Sequence, residues 1–187
     1  MRIILASASP RRRELLEKIG LKFDIIPADI EETTDFTEPD RVVCDLCLKK
    51  AMYISQRYKN DIIISADTIV YFGGACLGKP ESEEQAALML RSLSGKTHKV
   101  YTGVTVLKGD IKDTRYEVTK VRFRDMSDSE ISSYIRTGEP MDKAGSYGIQ
   151  GFGMLFIEGI EGDYQNVMGL PVKTLYDMLK KVGVFLI

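Results

Sequence analysis

An arginine-rich turn between two apolar segments predicts a site for phosphate. Residues 2–6 are mostly apolar, as in a short strand, and apolar residues recur at helical spacing in 15–19. Ser9 suits the N-cap of that helix and Pro10 its first position, so Arg11–Arg13 fall in the first turn. Cations there oppose the helix dipole unless an anion is near, whereas a helix N-terminus itself binds anions. A solvated basic turn is the alternative that this stretch leaves open.

Two carboxylate positions complement this turn. Asp29–Glu32 forms an acidic loop after a short strand predicted over 22–27. Such a loop is either solvated or, facing a phosphate, able to hold Mg²⁺. Asp67 follows the apolar run 61–66, which predicts a strand covered on both faces. Ligands bind beyond the carboxyl ends of such strands. Asp67 is therefore either a catalytic carboxylate or an ordinary turn residue.

A lysine interrupts the apolar stripe of a helix predicted over 40–58. At helical spacing, Lys50 lies in the middle of that stripe, whereas Lys49 points to another side. A lysine in this position either extends to solvent or meets a buried anion. The spacing alone does not decide between the two.

Glycines mark two further segments. Gly78-Lys79-Pro80 follows a hairpin predicted over 70–77 and is either a plain turn or a place where a lysine approaches phosphate. Residues 139–153 contain four glycines, with Tyr147, Gln150 and other large side chains between them. A flexible linker is the alternative, but these side chains favour a loop whose backbone approaches a ligand. The amide of Gln150 can both donate to and accept from the edge of a base.

The remaining pattern predicts an α/β protein. Helices are expected over 81–93, 127–137 (which begins with a Ser-x-x-Glu capping box) and 171–181. Strands are expected over 97–107, 111–124 and 154–157. The fold class that follows is a twisted mixed β-sheet with flanking helices. The 187 residues suit one domain, 1–187, or one domain of two lobes.

The composition limits the classes of partner that the protein is expected to bind. The net charge is −1, with 26 basic and 27 acidic residues, which disfavours general binding to nucleic acid or membranes but permits a local basic pocket. The N-terminus does not resemble a signal peptide, so a cytoplasmic location is expected. Cys44 and Cys47 form a CxxC within a helical pattern. Core-packing thiols are favoured there over a zinc or redox site.

Several of these segments resemble one family. The opening Ser7–Leu16 (SASPRRRELL) is similar to the signature of the Maf family of nucleoside triphosphate pyrophosphatases. Matches continue along nearly the whole chain with Ser65–Val70 (SADTIV), Gly78–Pro80 (GKP), the glycine-rich segment 139–153 and Gly162–Pro171 (GDYQNVMGLP). The resemblance implies an inosine triphosphate pyrophosphatase-like fold, with two lobes around a central cleft. It also implies cleavage of a nucleoside triphosphate to the monophosphate and pyrophosphate.

The resemblance also implies roles for individual residues. Asp67 is expected to be the general base and, with Glu32, to bind a divalent cation, Mg²⁺ or alternatively Mn²⁺ or Co²⁺. Further expected catalytic and substrate-binding residues are Lys50, Lys79, Ser7, Arg11 and Arg12. Arg11, Thr68 and Gln150 match the arginine, threonine and glutamine of the family branch that acts on dTTP and UTP. The 7-methyl-GTP branch has tryptophan and glutamate at the first and last of these positions.

Two biological roles follow from the resemblance. The favoured one is hydrolysis of dTTP, UTP and modified pyrimidine nucleotides, which clears them from the nucleotide pool. The alternative is a nucleotide-binding regulator of septum formation that acts through protein partners. The sequence contains no fingerprint for a flavin or dinucleotide cofactor. A homodimer is expected from the resemblance alone.

Overall fold

The computed structural model describes all residues, 1–187, and contains seven strands and six α-helices. The strands are β1 (Ile3–Leu5), β2 (Asp24–Ile25), β3 (Ile62–Phe72), β4 (Ala75–Leu77), β5 (Thr97–Lys108), β6 (Ile111–Phe123) and β7 (Ile157–Glu161). The helices are α1 (Pro10–Lys18), α2 (Pro39–Ser55), α3 (Glu83–Leu93), α4 (Asp128–Arg136), α5 (Tyr164–Met168) and α6 (Val172–Lys181).

The strands form one mixed sheet, in the order β2-β1-β3-β5-β6-β7, with β4 paired to β3. Strand β1 is parallel to both β2 and β3, with Ile4 opposite Asp24 and Ile63. The pairs β3–β4 and β6–β7 are antiparallel. The predicted α/β fold class is confirmed. None of the helices combines the length and the apolar character needed to cross a membrane.

The chain divides into two compact units. Unit 1 comprises Met1–Thr68, Thr102–Glu117 and Gly169–Ile187, and unit 2 comprises Ile69–Tyr101 and Val118–Met168. Strands β3, β5 and β6 each contribute one segment to unit 1 and another to unit 2. Two units agree with the expected two lobes, while the description of 1–187 as one domain and the cleft stay predictions.

Each unit has its own apolar core. One cluster of unit 1 contains Ile4, Ala51, Ile54, Ile63 and Leu107, which come from two strands of the parallel part of the sheet, from α2 and from β5. The larger cluster of unit 2 joins α3 and α4 to the strands and to the glycine-rich segment; its members include Leu90, Leu93, Phe123, Ile131, Tyr134, Tyr147 and Phe156.

Three element predictions need correction. The run 61–66 does not end before Asp67, because β3 continues through it to Phe72. The predicted strand 154–157 is a 3₁₀ helix, Gly151–Phe156, and the strand β7 begins at Ile157. The loop predicted over 139–153 contains three 3₁₀ turns. In each case the apolar or glycine-rich pattern does not determine the backbone conformation. Strand pairing and local hydrogen bonds determine it instead.

Helix α1 begins at Pro10 as predicted, but its start differs in detail. Ser9 occupies the N-cap position, yet its side chain makes no capping hydrogen bond. Instead, the backbone N–H of Ser9 donates to Ser7 Oγ at 3.3 Å. The first turn contains no acidic residue, so no side chain of that turn complements the positive end of the helix dipole.

Candidate active site

A buried lysine and two carboxylates form the centre of the candidate site in unit 1. Lys50 Nζ lies 2.6 Å from Asp67 Oδ1 and 2.9 Å from Glu32 Oε1. Lys50 and Asp67 are 7% and 6% exposed, whereas the Glu32 side chain is half exposed. Of the two alternatives left open by the spacing, Lys50 meets a buried anion.

The elements explain why these three groups meet. Helix α2 presents Val43, Leu46, Cys47 and Ile54 to the interior, and Lys50 shares that buried side. Asp67 stands within β3, where every residue from Ile62 to Asp67 is buried. Its carboxylate is therefore fixed by a paired strand rather than by a turn. The interpretation of Asp67 as an ordinary turn aspartate is wrong, because the residue lies inside a strand.

Burial controls the protonation of Asp67. Loss of water raises the pKa of this carboxyl above its ordinary value, and Lys50 and Arg12 oppose that rise. Burial likewise lowers the pKa of the Arg12 guanidinium, opposed by the charge of Asp67. Asp67 is thus a carboxylate of increased basicity next to two cations, which is a suitable environment for taking a proton from water.

Arg12 is held in place by three groups of unit 1. Its Nη1 donates to Ser7 Oγ at 2.9 Å, its Nε to the carbonyl of Gly169 at 2.8 Å and its Nη2 to Thr68 Oγ1 at 3.2 Å. Gly169 has a φ of +105°, and a Cβ there would lie 3.3 Å from Thr68 Oγ1. The guanidinium is therefore oriented in advance, and its remaining N–H groups can donate to an anion.

Two neighbouring groups are also suited to an anion. Ser7 Oγ accepts hydrogen bonds from Arg12 and from the Ser9 backbone, so its own O–H remains available as a donor. The Nε of Arg11 is buried and has no hydrogen-bond partner. A buried donor without a partner is destabilising, and an anionic oxygen would satisfy it. These observations support the phosphate alternative for the arginine-rich turn over a merely solvated one.

The predicted site residues fall into two groups. The structure brings together six of them in unit 1: Ser7, Arg12, Glu32, Lys50, Asp67 and Thr68. Arg11 belongs to the same unit, where no side-chain partner holds its Nε. Lys79 and Gln150 belong to unit 2, and their participation stays a prediction. Lys79 is exposed, and the side chain of Gln150 does not cap the 3₁₀ helix that follows it.

The carboxylates fit a divalent cation only in combination with a ligand. No group of three or more His, Cys, Asp or Glu side chains is placed to hold a metal ion by itself. Glu32 and Asp67 do lie on the same ammonium, which stands where a cation would interact with both. Mg²⁺ is commonly held by one or two carboxylates together with substrate phosphates and water. The pair fits that pattern.

The second cysteine of the CxxC pair packs in the interior. Cys47 is fully buried, and its Sγ lies 3.2 Å from Thr105 Oγ1. Burial raises the pKa of the Cys47 thiol to about 12, so it remains protonated and unreactive near neutral pH. The favoured interpretation as core-packing thiols agrees with this environment.

Sequence reasoning missed one residue that supports the site. Thr102 is fully buried, and its Oγ1 lies 3.0 Å from Thr68 Oγ1. It therefore orients the hydroxyl that Arg12 contacts. The neighbouring Gly103 has no room for a side chain, because a Cβ would lie 2.4 Å from the carbonyl of Val43. The sequence feature that could have indicated Thr102 is the Thr-Gly pair, which interrupts an otherwise apolar part of the strand.

Comparison with known proteins agrees with this geometry. The family model described as Maf-like protein matches residues 2–182. A dTTP/UTP pyrophosphatase of Caldanaerobacter subterraneus subsp. tengcongensis is 52% identical over 184 residues, 97% of this chain and 89% of that protein. Another, from Bacillus cereus, is 47% identical over 184 residues, 98% of this chain and 96% of that protein.

A solved structure is similar in fold. The Ham1 protein of Staphylococcus aureus aligns with a TM-score of 0.51 at 14% identity, covering 84% of this chain and 80% of that one. At this level of identity the likeness concerns the fold alone. It agrees with the α/β architecture expected from the sequence.

Proposed function

The chain belongs to the Maf-like protein family, and from this premise we propose that it hydrolyses dTTP and UTP to the monophosphate and pyrophosphate. The observation that carries the proposal is the buried Lys50 between Asp67 and Glu32, with Arg12 oriented beside it. Relatives at 47–52% identity that bear the name dTTP/UTP pyrophosphatase support it. The biological role would be removal of these nucleotides, modified ones included, from the pool.

In the proposed reaction Asp67 accepts a proton from the water that attacks the α-phosphate. Lys50 engages Oδ1 of Asp67, so that Oδ2 is the oxygen left to take the proton. Burial raises the pKa of Asp67, which makes the carboxylate a stronger base than an exposed one. When the carboxyl of Asp67 has taken the proton and become neutral, Lys50 is still close to it, and the positive charge of Lys50 can then act on the phosphate.

Arginine and lysine side chains would stabilise the negative charge that grows on the phosphates. Arg12 contributes oriented N–H groups, and Ser7 contributes its hydroxyl proton. The buried Nε of Arg11 would gain the partner that it lacks. Lys79 is an exposed cation that we assign to the same triphosphate, because a long lysine can follow a charged ligand without being fixed beforehand.

We assign the divalent cation to Glu32 and Asp67, with Mg²⁺ as the first choice and Mn²⁺ or Co²⁺ as alternatives. When bound, such an ion neutralises phosphate charge and aligns the phosphates for attack. The half-exposed carboxylate of Glu32 is the more accessible of the two ligands. Arg11, Thr68 and Gln150 are assigned to recognition of the pyrimidine nucleotide. The homodimer and the cytoplasmic location stay predictions.

Product analysis with an Asp67→Asn variant tests the proposal. The purified protein with Mg²⁺ receives dTTP, UTP, CTP, GTP, ATP and 7-methyl-GTP separately, and products are separated by ion-exchange chromatography. We expect pyrophosphate and monophosphate from dTTP and UTP, and a fall of about 10²–10⁴-fold in kcat for Asp67→Asn, which is the range that loss of a general base covers. A fully active variant would refute the role of Asp67.

The other outcomes are equally informative. Release of inorganic phosphate and a nucleoside diphosphate would place the cleaved bond between the β and γ phosphates and reject the pyrophosphatase assignment. Binding of nucleotides without turnover would favour the regulatory alternative. Thr102→Ser is a matched control, because it keeps the hydroxyl that contacts Thr68 and is expected to retain activity.

A further inference from the structure

Glu139 is a hydrogen-bond acceptor for the main chain of the glycine-rich segment. Its Oε1 accepts from Tyr134 Oη at 2.9 Å and from the Gly153 N–H at 3.1 Å. Its Oε2 accepts from the Phe152 N–H at 2.9 Å. One carboxylate at the start of the segment therefore holds two backbone donors at its far end. None of the roles assigned above uses this residue.

Tyr134 extends the same arrangement to the other side of Gln150. The tyrosine lies in α4, is 3% exposed and packs edge-on against Phe156, with ring centroids 5.2 Å apart. Its hydroxyl donates to Glu139 and accepts from the Gly148 N–H at 3.1 Å. Together, Glu139 and Tyr134 bind the backbone both before and after Gln150.

The glycines show how closely the backbone folds at this point. A Cβ on Gly153 would lie 2.1 Å from the carbonyl oxygen of Gly148, so the two ends of the turn are in contact. Gly151 has a φ of +70°, and a Cβ there would lie 2.5 Å from Oε2 of Glu139. The backbone conformation that carries Gln150 is therefore defined by glycines and by the Glu139 carboxylate together.

A carboxylate is better suited to this position than an amide. Three donors, two backbone N–H groups and one phenol, point at the two oxygens of Glu139. A glutamine would offer one oxygen and one NH₂ group, and the NH₂ group would face a donor. Loss of one acceptor leaves a polar group unsatisfied and loosens the turn.

We propose that Glu139 and Tyr134 are positioning residues that fix the backbone on both sides of Gln150 and thereby set the selectivity for the pyrimidine base. The inference rests on the proposed function, in which Gln150 reads the base. An amide recognises a base edge only when its orientation is fixed, because small displacements of a positioning group reduce reactivity strongly. The contribution of Glu139 acts through Gln150 rather than through contact with the nucleotide.

The test compares Glu139→Gln and Tyr134→Phe with wild type in steady-state assays on dTTP, UTP, GTP and ATP. We expect KM for dTTP and UTP to rise roughly 10- to 100-fold, with a smaller change in kcat and a fall in the pyrimidine-to-purine ratio of kcat/KM. Asp142→Asn is the matched control, since Asp142 lies in the same 3₁₀ turn but bonds Lys143 Nζ at 2.6 Å. It is expected to behave as wild type.

Amide hydrogen exchange in the ligand-free protein gives a second readout. Peptides containing Phe152 and Gly153 are expected to exchange faster in Glu139→Gln than in wild type or Asp142→Asn. Tyr134→Phe changes only one hydroxyl and keeps the test available if Glu139→Gln folds poorly. Unchanged exchange, or an equal fall in kcat for every triphosphate at unchanged KM, would overturn the inference.

Failure of the proposed function has a different signature. If the wild-type protein turned over no pyrimidine triphosphate, the proposed function would be rejected whatever the variants do. Faster exchange at Phe152 and Gly153 in Glu139→Gln, or at Gly148 in Tyr134→Phe, would then still support the positioning of the backbone. Unchanged exchange would reject that as well.

Discussion

The two units stabilise their buried polar groups in different ways. Unit 1 buries a charged pair, with Lys50 Nζ 2.6 Å from Asp67 Oδ1. Unit 2 buries the pair His98 and Tyr147, whose Nε2 and Oη are 2.7 Å apart among aromatic rings. Burial lowers the pKa of His98 to about 4, so this imidazole is neutral at pH 7.

This contrast separates function from stability. Removing two charges from water has a free-energy cost that their attraction often fails to recover, and apolar replacements of similar size are frequently as stable. The Lys50–Asp67 pair is therefore not explained by stability, whereas catalysis requires charge in a dry site. The pair His98–Tyr147 is explained by packing, because both rings contact Phe123 edge-on.

The largest expected effect distinguishes the two lysines. Lys50→Met leaves Asp67 as a buried carboxylate without its main counter-charge, and we expect a loss of about 3–5 kcal/mol in the free energy of unfolding. Lys79→Met removes an exposed cation, so its stability should remain within about 0.5 kcal/mol of wild type. Both variants should lose turnover. Urea denaturation and pyrophosphate release measure the two quantities.

A double variant isolates the charge pair. Lys50→Met/Asp67→Asn removes both charges, and most of the lost stability should return while activity stays absent. If Lys50→Met were as stable as Lys79→Met, Lys50 and Asp67 would not form a buried ion pair in solution. The contrast between a buried charged pair in unit 1 and a buried neutral pair in unit 2 would then be wrong.

Much of unit 1 could be predicted from sequence because its signals are local. The apolar run before Asp67, the Ser-Pro start of α1 and the position of Lys50 within an apolar stripe each require only a few neighbouring residues. The partner of Lys50 was not predictable from spacing, since Asp67 is 17 residues away and meets it only in the folded chain. The family resemblance supplied a phosphate contact for Lys50 and a general-base role for Asp67, and the geometry supplied the contact between the two side chains.

Unit 2 was harder to predict because its key contacts are main-chain hydrogen bonds. The four glycines of 139–153 indicated a close backbone approach, but not what the backbone approaches. That partner is Glu139, 13 residues before Phe152, and a glutamate ahead of a glycine-rich stretch has no distinctive pattern. The strand predicted over 154–157 was also wrong, because apolar side chains alone do not distinguish a 3₁₀ turn from a strand.

The second prediction concerns acid stability, to which the buried His98 should contribute between pH 7 and 4. This is the only histidine in the chain, and it is 2% exposed. Its pKa falls from 6.5 to about 4 on folding, so between these pH values only the unfolded chain holds the proton. The contribution of His98 to the free energy of unfolding should therefore decrease by about 3 kcal/mol as the pH falls from 7 to 4.

His98→Gln is the control for this effect. The glutamine keeps a polar partner for Tyr147 but does not titrate, so the slope of stability against pH between 6.5 and 4 should become flatter. Asp67 acts in the opposite sense, because its raised pKa favours the folded state as the pH falls. An unchanged slope in His98→Gln would show that His98 is not buried as a neutral base.

The smallest expected effect compares serine N-caps from the two units. Ser127 Oγ accepts from the Glu130 N–H, and the Glu130 side chain accepts in return from the Ser127 N–H, which completes a capping box. Ser9 makes no such bond. Ser127→Ala should therefore lower the free energy of unfolding by about 1 kcal/mol, and Ser9→Ala by only a few tenths. Urea denaturation at pH 7 measures both. Equal losses would mean that Ser9 itself caps helix α1 in solution, as its position before Pro10 predicts from the sequence.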